Sequence, residues 1–158
     1  MQTYKTLLVC CLLASGCSMF GEKEQTTLRF YEQVSSSLPN KLYREVAVPK
    51  TGLTVQVDRF PVLTERDVAS AEIYQTAGGP SILLRLEIHG NIMLDEVTTR
   101  NRGRYLVVFL DGRPVAAWFI EKRLNTGSFI LEGDFTGEEA KKAVESLNRQ
   151  SKKRNAEW

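Results

Sequence analysis

Between Leu106 and Leu110 the chain reads Leu-Val-Val-Phe-Leu, and Asp111-Gly112 follows at once. A strand turns successive side chains to opposite faces, so five apolar residues in a row leave no face for water. A chain carrying this run has to build a sheet around it and cover that sheet on both sides. Asp-Gly then predicts a two-residue reversal, because both central positions of the favoured turn need positive φ. Pro114-Val-Ala-Ala-Trp-Phe-Ile120 reads as the returning strand.

The flanking segments fill in the class. Leu28–Val34 and Lys41–Val48 are rich in aromatic and β-branched residues, with Ser35-Ser-Ser-Leu-Pro-Asn40 between them, which predicts a β-hairpin over 27–50. Leu53–Val57 alternates as a half-buried strand does. Thr64, with Asp67 three residues on, predicts a capped helix carrying Val68, Ala71 and Gln75 and ending before Gly78-Gly79-Pro80. Ser81–Ile88 predicts a strand with Ile82, Leu84, Leu86 and Ile88 on one side. Asn91 is the expected cap of a second helix bearing Met93, Leu94 and Val97, closed by Asn101-Arg-Gly103. Phe129, Leu131, Gly133 and Phe135 alternate along another strand. Thr136 and Glu139 then make a capping box for a last helix, whose Ala140, Ala143, Val144 and Leu147 form an apolar stripe. Interleaved helices and tight hairpins predict an α+β domain: a mostly antiparallel sheet with helices on one face.

The start of the chain has a different character. Lys5 precedes an apolar stretch, Leu7-Leu-Val-Cys-Cys-Leu-Leu13, then Ala14-Ser15-Gly16 and Cys17. The run from Leu7 to Ala14 is far short of the roughly 20 residues a spanning helix needs. A charged start, a short apolar region and small residues at a cut site make a secretory signal. With the cysteine placed directly after Gly16, the segment resembles a bacterial lipoprotein signal. The resemblance implies cleavage between Gly16 and Cys17, acylation of Cys17, and a membrane anchor for all that follows. It also implies an envelope location facing the periplasm. In enteric bacteria the lipoprotein sorting rule reads the next residue, here Ser18, as outer membrane rather than inner. Cys10 and Cys11 fall inside the removed segment, so an acylated Cys17 leaves no free thiol, disulfide or cysteine metal site. The expected organisation is signal peptide 1–16, lipidated tether 17–26, hairpin 27–50, α+β domain 51–150 and basic tail 151–158.

Charge and candidate sites exclude more than they propose. Without Lys5 the mature chain holds 20 basic residues of the 21 against 19 acidic ones, which carries no electrostatic footprint for nucleic acid. Lys152-Lys153-Arg154 reads as a helix end favoured by the dipole, with a lipid-headgroup patch as the alternative. His89 is the sole histidine, and without a second one a zinc site needs unusual ligands. Asp95 and Glu96 are adjacent on a helix, so their side chains diverge and do not share a proton. Neither a serine-nucleophile motif nor a phosphate loop is present. No metal, cofactor or catalytic residue is therefore expected. Trp118-Phe119 is the candidate contact: if Phe119 is core, Trp118 faces the other way and can anchor a partner. The alternative is that the helix layer covers it.

From about Thr51 to Asn148 the chain resembles the head of the large periplasmic domain of SecD, a membrane subunit of bacterial protein export. The resemblance lies in Asn101-Arg-Gly103 through Leu110-Asp-Gly112, then Val115-Ala-Ala117, Ile120, Gly127, and Ile130-Leu-Glu-Gly133-Asp-Phe-Thr136-Gly-Glu-Glu-Ala140. Thr98 or Thr99 supplies the family's preceding threonine, and Trp118 stands where the family usually has proline after Ser-Ala. The resemblance implies a ferredoxin-like α+β unit that holds emerging protein chains. The SecD transmembrane helices and base part have no counterpart here, so proton-driven export is not expected. The reading is a non-enzymatic envelope lipoprotein binding a protein or peptide partner. Its alternatives are a structural envelope lipoprotein or an enzyme with a site converging on His89, Asp95 and Arg100.

Overall fold

The computed structural model of the protein describes residues 25–34 and 43–157. The signal segment, Gly16, Cys17, Ser18 and the Ser35–Asn40 loop lie outside the described residues. In chain order the elements are β1 (Leu28–Glu32), β2 (Tyr43–Ala47), β3 (Thr54–Asp58), β4 (Leu63–Thr64), a 3-10 turn (Glu65–Asp67), β5 (Val68–Thr76) and β6 (Gly79–Leu86). Helix α1 (Ile88–Arg100), β7 (Tyr105–Leu110), β8 (Arg113–Phe119), β9 (Ser128–Leu131) and α2 (Gly137–Ala156) follow.

The doubly apolar run is β7, and it lies inside a four-stranded sheet of order β4-β1-β7-β8. Its Leu106, Val108 and Leu110 face the main core with Leu28, Phe30 and residues of both helices. Val107 and Phe109 face a second core with Tyr31, Val46, Val48, Val55 and Val57. The β2–β3 ribbon supplies that second cover. Arg44 closes it from outside, its guanidinium 4.3 Å from the Tyr31 ring centre and 4.4 Å from that of Phe109. A separate three-stranded sheet, β5-β6-β9, packs its inner face and α2 into the main core. Among the described residues every strand pair is antiparallel. The α+β class holds, with both helices in the same core.

Three local expectations differ. The two N-terminal runs are strands, but each pairs elsewhere: β1 lies between β4 and β7, and β2 pairs with β3. The physical reason is that β7 needs both faces covered, which draws one strand into the sheet and the other over it. The helix expected after Thr64 is one 3-10 turn followed by strand β5. Thr64 and Asp67 do form the reciprocal capping box. Beyond it, a register shift between Val68 and Ser70 lets Val68, Ala71 and Gln75 share a strand face at i, i+3, i+7, a spacing that imitates a helix. Finally, α1 starts three residues before Asn91, so Ile88 is its first residue and stands 81 % exposed rather than completing β6.

The expected turn and cap are present. Asp111 and Gly112 have φ of 49° and 77°, closing β7–β8 tightly. Thr136 and Glu139 exchange both capping hydrogen bonds at the start of α2. The helix continues to Ala156, so most of the basic tail is helical.

Gly90 is a contact rather than a turn. A Cβ there would stand 2.7 Å from the Asp67 carbonyl oxygen and 2.8 Å from its Cβ, so α1 approaches the 3-10 turn as only glycine allows. Gly90→Ala is expected to cost about 1–3 kcal/mol, read as a lower urea midpoint at unchanged slope.

Candidate functional site

Strands β8 and β9 end their respective sheets facing each other, and a cleft of about 380 Å³ opens between them. It is lined by Ala116, Ala117 and Trp118 on one side and by Phe129, Ile130, Leu131 and Glu132 on the other. At one end the strands meet, where the Asp134 N–H donates to the Val115 carbonyl at 2.7 Å. Gly133 permits that pinch: a Cβ there would lie 2.8 Å from the Phe135 ring and 3.0 Å from the Val115 oxygen.

The pinch is reinforced by charge. Lys50, from the turn after β2, lies 2.5 Å from the Asp134 carboxylate, and Arg113 donates to the Asp134 carbonyl (2.7 Å) and to Glu139 (3.0 Å). The Lys50 hydrogen bond, aided by the charges of Lys50 and Arg113, lowers the Asp134 pKa. Glu139 is lowered mainly by accepting the Thr136 backbone N–H. At the wide end, the Ile120–Gly127 connection is tied to one face of α1. Asn91 accepts from the Gly127 N–H (2.9 Å), Thr98 accepts from the Leu124 N–H (2.9 Å), and Asp95 pairs with Arg123. The Arg123 hydrogen bond lowers the Asp95 pKa. The spacing i, i+4, i+7 puts these three side chains in one row, which fixes the mouth.

Which backbone groups line the cleft follows from the ladders. Bonded and non-bonded pairs alternate along an antiparallel pair. The Ile120 N–H bonds to Arg104, so Trp118 and Ala116 bond to β7 while Ala117 points its N–H and C=O away. The Leu86 N–H bonds to Gly127, so Phe129 and Leu131 bond to β6 while Ile130 points away. Two strand edges thus present Ala117 and Ile130 backbone groups to the same space.

The floor is aromatic. Trp118 meets Phe129 edge to face at 5.6 Å, and Phe129 meets Phe30 likewise at 5.3 Å. Trp118 is on the main-core side, half-buried, and still lines the cleft. Phe119 is the outward one, 43 % exposed and tilted against Tyr105. The premise that Phe119 is core therefore fails, because its ring packs on Tyr105 at the surface and stays open to solvent. His89 pairs with Asp67 (2.8 Å), Asp95 with Arg123, and Arg100 with Glu32 and Glu96. Each is committed to a different partner, so the structure does not bring them together.

The profile of the SecDF P1 head subdomain matches residues 40–150. The chain belongs to this family. The protein translocase subunit SecDF of Thermus thermophilus is 35% identical over 81 residues, covering 51% of this chain and 11% of that protein. The SecD subunit of Desulfurispirillum indicum is 32% identical over 108 residues, 63% of this chain and 21% of that one. The head therefore spans between a tenth and a fifth of the curated relatives it matches. A solved structure described as a membrane component SecDF that enhances protein export shares the fold at TM-score 0.62 and 23% identity, over 80% of this chain and 63% of its own. SecDF in a super-membrane-facing form gives the same TM-score over 19% of its length. Among the described residues no helix is long and apolar enough to cross a membrane.

In this SecDF P1 head the residues that carried the resemblance build the site. Gly133, Phe135, Thr136 and Glu139 make the pinch and the cap beside it, and Gly127 anchors the mouth. Sequence reasoning missed Asn91, Asp95 and Thr98 as a latch, although their polar i, i+4, i+7 row was readable.

Asp95, Asp134 and Glu139 all have lowered folded-state pKa values, so the stability they add is complete above the unfolded carboxylate range near pH 4 and is lost as pH falls through the lower folded values. Asp134→Asn is therefore expected to lower stability at pH 7 and to flatten the acid-side decline, measured by urea midpoints at a series of pH values.

Proposed function

We propose that the protein is a non-enzymatic envelope lipoprotein, anchored through Cys17, whose head binds extended segments of other proteins in the β8–β9 cleft. What carries the reading is the pair of facing strand edges above an aromatic floor. An extended peptide can add to a free edge through main-chain hydrogen bonds, with pockets for alternate side chains setting preference. Ala117 and Ile130 offer the hydrogen bonds, and Trp118 offers the apolar contact. The relatives are named as protein translocase subunits, which makes an exported chain a natural ligand for this head. The lipoprotein resemblance supports a head on the periplasmic side of a membrane, and Ser18 is the reason for proposing the outer one.

Titration of the acylated protein with an apolar extended peptide is expected to show saturable binding that Trp118→Ala weakens about tenfold or more. Methylating alternate peptide nitrogens should abolish it, because edge pairing needs those N–H groups. Equal binding by Trp118→Ala and by the methylated peptide would sink strand addition. For the anchor, Cys17→Ser is expected to leave an unacylated chain by intact mass, and an unchanged mass relative to the wild type would overturn that reading.

A further inference from the structure

At the end of the molecule opposite the pinch, Arg66, Lys153 and Arg154 gather around Gln25, the first described residue, at a depression of about 280 Å³. Three separated stretches of chain meet there: the 3-10 turn, the last turns of α2, and the segment leading into β1. The segment before β1 is stapled in place. Thr26 is buried, its N–H donates to Ser146 Oγ (3.0 Å), and its carbonyl accepts from Gln150 Nε2 (2.9 Å).

Two carboxylates share the rim, Glu65 and Glu157. Glu65 is engaged by the Leu28 N–H at 3.3 Å. Arg154 donates to the Val68 carbonyl, a neutral acceptor, at 2.7 Å. Arg66 and Lys153 have no carboxylate partner among the described residues. Arg149 and Lys152 are exposed on the same stretch of α2.

Distance supplies the second argument. Gln25 is eight residues after Cys17, a reach of about 27 Å fully extended and roughly 16 Å as a flexible coil. A head tethered so close holds this basic end within a few screening lengths of the surface, the screening length being about 8 Å at physiological salt. From Gly137 beside the pinch to Ala156 at the basic end, α2 is about 28 Å long.

We infer that Arg66, Lys153 and Arg154 form a foot that binds the phosphate groups of anionic phospholipids in the leaflet holding the Cys17 acyl chains. The foot rests on the Cys17 anchor reading. It stands α2 away from the membrane, with the cleft's pinched end at the far end of the helix. The occupant is a lipid surface, because the patch is cationic, shallow and set at the root of the tether.

The test uses the mature acylated protein in vesicles of phosphatidylcholine alone or with about a third phosphatidylglycerol, labelled with a water-soluble lysine-acetylating reagent. Lys141, exposed on the first turns of α2, is the internal control. Lys153 labelling is expected to fall about threefold on the anionic vesicles while Lys141 stays constant, and high salt or Arg66→Glu should remove the protection. Equal Lys153 labelling on both vesicle types, with the protein floating on both, overturns the foot and leaves the anchor standing. A protein that shows no acyl mass and floats with neither vesicle overturns the anchor, and the foot with it.

Discussion

Everything in this fold depends on the fact that β7 has no side it can show to water. Leu106, Val107, Val108, Phe109 and Leu110 are all buried, and each such side chain contributes roughly 1.5–3 kcal/mol relative to exposure. Their sum is of the order of the whole net stability of a domain this size. One sheet face can be closed by the helices and the second sheet. The other needs a separate cover, and the β2–β3 ribbon supplies it with four valines. Two cores on either side of one strand are the minimum solution to a single apolar run.

The cleft is a by-product of that solution. β8 pairs with β7 on one side and has no continuous neighbour on the other. β9 ends the second sheet in the same position, and both sheets share the main core, so their free edges are brought face to face. A register shift near Phe109, opposite Val115, turns β8 toward Asp134 and lets the edges touch once before they diverge. Free edges are ordinarily an aggregation hazard. Here β9 is only four residues long, its exposed end carries Glu132, and charged pairs hold both ends of the opening, which restricts access to an extended segment.

The sequence made some of this readable and hid the rest for definable reasons. The β7–β8 hairpin and the α2 cap were legible because Asp111-Gly112 and Thr136/Glu139 act through their immediate neighbours. The segment after Thr64 misled because its capping box is real while the spacing beyond it comes from a bulge in a strand. Pairing of β1 with β7 rather than β2 is a long-range choice between equally good strand partners, which no local pattern encodes. The cleft was invisible for the same reason: edge status belongs to the sheet, not to Ala117 or Ile130. Trp118, singled out by residue type, lines the cleft, although its neighbour was assigned the wrong face.

Helix α2 connects the two ends of the argument. Its capped N-terminus, with Glu138 and Glu139 in the first turn, stands beside the pinch, and Lys153 and Arg154 occupy its last turn. Acidic start and basic end both suit the dipole, so local helix energetics alone favour this polarity. The same polarity sets the cations beside Gln25, just before β1, and carries the cleft's pinch to the opposite end. Under the proposed Cys17 anchor, a ligand held near the membrane would meet the cleft at high effective concentration only where geometry lets both engage. A helix of about 28 Å is stiff enough to set that geometry. Dipole chemistry that any exposed helix would tolerate, with Thr26 stapled to Ser146 and Gln150, is thus what the proposed foot would use to orient the head.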